Sequence, residues 1–474
     1  MLVRRLSPLL IATALAACAL KDPPPHTDLV KDALPNVVSP AQWTGAPTPQ
    51  APVATNWLAS FNDPQLDALV KEAIAYNADL RIAVARVDTA AAYLEAANSP
   101  LWPQVNLLAR GGGKMSGDSS GISGVGLFAA WELDLWGRVR ALSRSTEMQY
   151  FSAQLDAEYA RQSIAALVAK GWILAIEARL QRTTAELALK SSEDLTSLAR
   201  DRLRVGNGDE YEVALAQGNT ETYRDTVRKL DLAYQNALRA LEALLGRYPA
   251  ATVAVAENLP GWPGEVPAGL PSELLERRPD VVAAERRVAA AFYRTEEAKA
   301  ARLPRISLVG SFTSINSELF VLKPRDNPVL SFGANLLQPI FLGGYLQAQV
   351  DVRTAEQQAA IVDYAKIGSR AFGEVENALA ASDAAGQREI ILQGAVKENA
   401  RALDLANVRY RVGTVDQRSV QQQQLALYQA RVSLLEVQSE RLVQRVNLYL
   451  ALGGSFDATP PPTGAAATTE TITR

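Results

Sequence analysis

Val125-Gly126-Leu127-Phe128-Ala129-Ala130-Trp131-Glu132-Leu133-Asp134-Leu135-Trp136 reads in alternation. Val125, Leu127, Ala129, Trp131, Leu133 and Leu135 point one way; Gly126, Phe128, Ala130, Glu132 and Asp134 point the other. Period two marks a strand. One apolar face and one face bearing carboxylates fit an outer-membrane barrel wall, apolar toward lipid and polar toward the lumen. Leu330, Phe332, Ala334 and Leu336 alternate in the same way with Ser331, Gly333 and Asn335. On this reading Glu132, Asp134 and Asn335 line a lumen. The pattern predicts strands at about 103–112, 124–136, 304–313 and 329–341, each near the roughly 9–11 residues that a membrane strand needs. Gly111 to Ser123 and Thr313 to Pro328 read as external loops. Four strands cannot close a barrel, for which about eight is the lower limit. Either the strands form a half-buried soluble sheet, or several chains build one barrel; three chains would supply about twelve strands.

The strands come in pairs because the chain is written twice. Ser99-Pro100-Leu101-Trp102-Pro103-Gln104-Val105-Asn106-Leu107 returns as Ala301-Arg302-Leu303-Pro304-Arg305-Ile306-Ser307-Leu308, with Pro304 placed 201 residues after Pro103. Leu203-Arg204-Val205-Gly206 returns as Tyr410-Arg411-Val412-Gly413, and Leu245-Gly246 as Leu452-Gly453, both 207 residues later. The order strand, strand, long helix, glycine tip, long helix therefore occurs twice, which is a statement about architecture.

No proline occurs from Gln104 to Tyr248 or from Ile340 to Thr459. Proline in a helix interior costs about 3 kcal/mol or more, so these stretches permit very long helices. Both are rich in Ala, Leu, Glu, Gln and Arg, which favour helix. Met148, Phe151, Leu155 and Tyr159 recur at three-four spacing, as do Leu392, Val396, Asn399, Leu403, Ala406 and Tyr410. So narrow a stripe is a coiled-coil seam. A helix from Gly137 to about Leu203 would be roughly 100 Å long at about 1.5 Å per residue. Residues 206–209 and 413–416 suit tight turns between antiparallel helices.

The 474 residues carry a net charge of −3, so no basic field exists to recruit nucleic acid. One Cys, Cys18, excludes an intrachain disulfide. Arg4 and Arg5, the apolar run Leu6 to Leu15 and Leu15-Ala16-Ala17-Cys18 read as a signal peptide over 1–17 ending in a lipobox. Cys18 is then the expected site of lipid attachment. Ala19 follows it where an Asp would signal retention at the inner membrane. Residues 18–56 form a Pro-, Thr- and Ala-rich arm, and 455–474 a flexible tail of similar composition. Between them lie repeat 1 at 57–248, an inter-repeat segment at 249–269 and repeat 2 at 270–454. No segment after the signal is apolar enough for a transmembrane helix, so membrane entry requires a closed barrel.

Trp131-Glu132-Leu133-Asp134-Leu135-Trp136-Gly137-Arg138 resembles the strand-to-helix signature of the TolC family, in its NodT-like lipoprotein branch. Arg278-Pro279-Asp280-Val281-Val282-Ala283-Ala284-Glu285-Arg286-Arg287 is similar to that branch's opening of the second repeat, and Gln338-Pro339-Ile340-Phe341-Leu342-Gly343-Gly344 to its partner strand-helix join. The resemblance runs from about Trp57 to Gly453. It implies an α+β membrane protein, a homotrimer with a twelve-stranded β-barrel and a twelve-helix α-barrel. It further implies an outer-membrane channel of a Gram-negative bacterium, extending into the periplasm and passing solutes out of a tripartite efflux system. The implied partners are a periplasmic adaptor, an inner-membrane pump of the resistance-nodulation-division class and outer-membrane lipid. Family gate residues fall just past the second tip glycine, here Asp416, Arg418, Ser419 and Gln422. Ser419 and Gln422 stand where acidic residues are expected. The adaptor-contact tip maps to Gly206, Asp209, Glu210 and Glu212, with Gly413 in the second repeat.

Catalysis finds no support. Gly117-Asp118-Ser119-Ser120-Gly121 partly resembles a serine-protease loop, but a triad needs a His and the only one, His26, falls in the arm. One Cys, one His and three Met argue against a soft-metal site. No cofactor is expected apart from covalent lipid. Alternatives to an efflux duct are a lipid-tethered periplasmic coiled-coil scaffold and the exit duct of a type I protein secretion system.

Overall fold

A computed structural model of the chain describes residues 21–47, 49, 51–53, 55–110, 122–317 and 328–457. The expected signal peptide, Cys18, residues 111–121 and 318–327 of the expected loops, and residues 458–474 of the expected tail lie outside the described residues.

Four strands, β1 (Gln104–Arg110), β2 (Ile122–Leu133), β3 (Arg305–Ser317) and β4 (Val329–Leu337), form one antiparallel meander in the order β1-β2-β3-β4. The two repeats meet at β2 and β3. Directly paired residues share a face of the sheet. Glu132 pairs with Ser307 and Ser307 with Asn335; Phe128 pairs with Asn106 and Ser311, and Ser311 with Ser331. The opposite face joins Leu107, Leu127, Phe312 and Leu330, and likewise Trp131, Leu308 and Ala334. The register therefore sorts four separately alternating segments into one polar and one apolar face. Phe332 and Leu336 on the apolar face are 81% and 69% exposed within the single chain, a surface that water alone would not leave uncovered.

The limits of all four strands differ from expectation, most at the ends of β3 and β4. β3 continues to Ser317, because Thr313 to Ser317 pair with Ile122 to Gly126 of β2. β1 has 7 residues and β3 has 13; that difference of six is the step from the 201-residue to the 207-residue offset. β4 stops at Leu337, just before Pro339, which cannot donate to a ladder.

Helix α1 (His26–Ala33) lies inside the arm, α2 is Pro64–Tyr76 and α3 Ala78–Asn98. The long elements are α4 (Arg138–Arg204) and α5 (Glu210–Leu244), then α6 (Pro279–Ala300), α7 (Tyr345–Arg411) and α8 (Gln417–Ala451). No described helix is long and apolar enough to cross a membrane. Helices α4 and α5 turn at Gly206, and α7 and α8 at Gly413, each with φ +77°, a backbone that a side chain would strain. In both turns the C-terminal carbonyls are closed in the same way. Gly206 and Asn207 donate to Leu203 and Arg202; Gly413 and Thr414 donate to Tyr410 and Arg409.

Contacts divide the chain into two units that cut across the repeats. One comprises the described part of Met1–Val37 with Val84–Asp156 and Asp280–Ile367, and so holds the sheet. In it, Leu155, Val282 and Ala283 pack together, and Ser145 donates to the Ala290 carbonyl at 2.8 Å. His26 is not in a flexible segment: its Nδ1 lies 2.8 Å from Glu285 Oε2.

The other unit comprises Val38–Ala83, Ala157–Pro279 and the described part of Gly368–Arg474. Its core includes Ile164, Val168, Trp172, Ile173 and Ile176 of α4, all nearly or fully buried. Trp172 Nε1 donates to Asp63 Oδ2 at 2.8 Å, while Asp63 Oδ1 caps α2 through the amides of Gln65 and Leu66. Two segments expected to be loose are fixed here. Trp43 of the arm is buried, with Nε1 on the Ala268 carbonyl at 3.2 Å. Ser455 and Phe456 are buried too, and Arg161 Nη1 donates to Asp457 at 2.6 Å.

Candidate functional site

The sheet and the helix tips carry the residues of interest. In the sheet, Glu132 stands on the polar face in the row Glu132–Ser307–Asn335. These three border an open cavity of about 590 Å³. Glu132 is not a free carboxylate: Arg138 Nε and Nη2 donate to its two oxygens at 3.0 and 2.8 Å. This bidentate fork is the strong form of the ion pair. Asp134 corrects the expectation of a lumen-facing strand residue. β2 ends at Leu133, and Asp134 caps α4, its oxygens accepting the amides of Val139 and Arg140 at 3.0 and 2.9 Å. Arg140 Nε adds a contact at 3.1 Å. Strand turns into helix at Gly137, φ +75°, and Trp136 Nε1 pins the join to the Pro304 carbonyl at 2.6 Å. Both carboxylates of the Trp131–Arg138 signature thus hold the junction.

At the tips, Asp209 and Asp416 are the N-cap residues of α5 and α8. Asp209 Oδ1 accepts the Glu212 amide at 2.8 Å, and Asp416 Oδ1 accepts the Ser419 amide at 2.9 Å and its hydroxyl at 2.6 Å. Those bonds, the Ser419 hydroxyl first, hold the Asp416 carboxyl below its ordinary pKa. Glu210 lies exposed in the first turn of α5, where a carboxylate complements the helix dipole. Gln422 is exposed one turn further along α8 than Arg418.

The structure brings the two tips together by pairing Arg418, Tyr410 and Glu212 with two residues the sequence did not single out, Tyr211 and Arg202. Arg418 Nη2 donates to Tyr211 Oη at 2.7 Å, joining α8 to α5. Arg202 lies 4.7 Å over the Tyr410 ring and donates to the Tyr410 carbonyl at 3.2 Å. Glu212 Oε2 faces Arg202 Nε at 3.8 Å and Tyr410 Oη at 3.5 Å. Burial first, then the Glu212 charge, pushes the Tyr410 hydroxyl pKa up. Beneath lie Leu195, Tyr410 and Val420, packed with Leu198, Leu403, Ala406 and Val415. Among the described residues no group of three or more His, Cys, Asp or Glu could hold a metal ion.

A sheet with one lipid-compatible and one polar face, in a chain with two proline-free helical hairpins, has the make-up of an envelope channel. The chain belongs to the outer membrane efflux protein family, whose profile matches residues 69–247 and 270–454. It is 31% identical to the pyoverdine export outer membrane protein OpmQ of Pseudomonas aeruginosa, over 89% of this chain and 92% of that one. It is 28% identical to the cation efflux system protein CusC of Escherichia coli K12, over 95% of this chain and 99% of that one. The solved outer-membrane channel OprN superposes with a TM-score of 0.80 at 26% identity, covering 88% of this chain and 97% of that one. The fold is therefore the α+β fold of TolC-type channels, and the function outer-membrane efflux.

Proposed function

We propose that three copies of this chain close a twelve-stranded barrel over a twelve-helix tunnel and serve as the outer-membrane exit duct of a tripartite efflux system. One observation carries this reading. The sheet has an exposed apolar face and two outer strands, β1 and β4, each paired on one side only. An unpaired backbone group in hydrocarbon costs several kcal/mol, so the sheet needs neighbours, and closure supplies them. The polar face then borders water. The partners are a periplasmic adaptor and an inner-membrane pump of the resistance-nodulation-division class. The cargo is a small solute, in keeping with relatives named for pyoverdine export and cation efflux.

In this scheme Cys18 is the mature N-terminus and carries lipid, two or more acyl chains being needed for stable anchoring. The second tip gates through Asp416, Arg418, Ser419 and Gln422, with the Arg418–Tyr211 bond as the tie to be released. The first tip, with Gly206, Asp209, Glu210 and Glu212, docks the adaptor beside Gly413.

Outer-membrane fractions should yield heat-modifiable trimers; a detergent-soluble monomer with full strand content would sink the barrel. Arg418→Ala should raise single-channel conductance in planar bilayers. Replacing Glu210 and Glu212 with Gln should lower adaptor cross-linking and leave conductance unchanged. Conductance blind to changes at Asp416, Arg418, Ser419 and Gln422 alike would place the constriction elsewhere. Intact mass showing an unmodified Cys18 would remove the anchor.

A further inference from the structure

Every charged side chain of the four described strands falls on the polar face. Arg110 pairs with Gly124, Glu132 with Ser307, and Arg305 stands two residues before Ser307 on the same side. The apolar face carries none. The strands thus hold two arginines against one glutamate, and that glutamate is gripped by both donors of the Arg138 fork. Glu297 adds a second carboxylate 4.0 Å from Arg138. The Arg305 side chain, by contrast, is exposed and makes no hydrogen bond or ion pair among the described residues. It borders the same cavity of about 590 Å³ as Ser307 and Asn335. The two connecting stretches do not change the balance: Lys114 offsets Asp118, and Lys323 with Arg325 offset Glu318 with Asp326.

We infer that the polar face of the sheet favours anionic solutes, carboxylates or phosphates, over cations of the same size. Arg305 sets the preference. Arg138 is the positioning residue that withdraws the Glu132 charge from the water-filled side. The inference rests on the barrel reading above, in which three Arg305 side chains share one lumen. A fixed charge in an aqueous passage with low-dielectric walls raises the local concentration of counter-ions. The effect fades beyond a screening length of about 8 Å at 0.15 M ionic strength.

The test places a thiol beside Arg305 in the full-length protein. Ser307→Cys trimers in outer-membrane vesicles are treated with sulfonatoethyl (anionic) or trimethylammonioethyl (cationic) methanethiosulfonate. The ratio of the two rates is referred to free cysteine, and the parent protein, with Cys18 alone, gives the background. At low ionic strength the anionic reagent should be favoured. Arg305→Gln should cut the ratio roughly fivefold, the scale of one unit charge about two strand residues away in high dielectric. Arg305→Lys should retain it. Arg138→Gln should also lower the ratio by freeing Glu132, and adding Glu132→Gln should restore it. A ratio that favours the cation, or that ignores Arg305→Gln, overturns the inference and leaves the barrel standing. Cys at position 307 resisting both reagents while Leu308→Cys reacts with both would overturn the facing of the sheet, and the barrel with it.

Discussion

Helices α4 and α7 each have 67 residues, and α5 and α8 each have 35. Their ends, tip glycines and capping aspartates recur at an interval of 207 residues throughout. The side chains at matched positions do unlike things. Glu242 in α5 is buried and accepts the amides of Ala251, Thr252 and Val253 at 2.6, 2.6 and 3.1 Å, fastening the segment that leaves the first repeat. Its counterpart Tyr449 in α8 is also buried, but stacks on Trp57 with ring centroids 5.6 Å apart. Gly246 and Gly453 follow in the same left-handed conformation. A Cβ on the first would meet the Tyr76 carbonyl at 2.8 Å, and on the second the Arg277 carbonyl at 3.3 Å. The duplicated element is a backbone with its capping rules; what each copy fastens is set by side chains.

That contrast can be broken in several ways, of decreasing size. Tyr449→Ala should cost about 4 kcal/mol, the scale of deleting a buried aromatic, read as a lower thermal midpoint of the detergent-solubilised protein by circular dichroism. Leu107→Arg and Leu308→Arg, one in each repeat at the same strand position, should fail together. A charge facing lipid costs about 2–4 kcal/mol near the midplane, and the yield of heat-modifiable oligomer measures it. If only one fails, the two repeats do not face lipid alike.

Glu242→Ala should cost about 2–3 kcal/mol by orphaning three amides. Here pH separates the copies. Burial raises the Glu242 pKa, but bonds from Thr252, Ala251 and Val253 outweigh it and leave the value lowered. Its contribution is therefore full above the unfolded glutamate pKa of about 4.3. It is lost as pH falls through the lowered folded value. The stability gap between parent and Glu242→Ala should narrow in that acid range, while the gap for Tyr449→Ala stays constant. Asp209→Ala and Asp416→Ala should each cost about 1 kcal/mol, as cap losses do, measured by the same melts. Unequal effects would show that the tips are not energetically matched.

The repeated skeleton was legible because its signals are local: alternation in the strands, missing proline in the helices, a glycine and an aspartate at each tip. What escaped depends on particular partners, most of them distant in sequence. Thr313 to Ser317 are polar but for Ile315 and resemble a loop; they extend β3 because β2 lies beside them, and strand preference follows context. Asp134 continues the alternation in sequence yet leaves the strand, since its oxygens find the first amides of α4. Tyr211 carries no pattern of its own and matters only because Arg418 reaches it. The arm is compositionally a linker, but Trp43 finds a pocket and His26 a carboxylate. Ser455 to Asp457 read as the start of a tail and instead take part in the core.

The amides of Asn56 and Trp57 donate to the carbonyls of Asp457 and Ser455. The residues that open the first repeat are therefore held by residues made about 400 positions later. Trp57 has no stacking partner until Tyr449 has been made. Closing such long loops carries an entropic cost before the contacts give any return, and non-local pairing slows folding. The core around Trp57 can therefore form only once the second repeat has been synthesised through Asp457, so the first repeat waits on the second for its own opening residues to be buried.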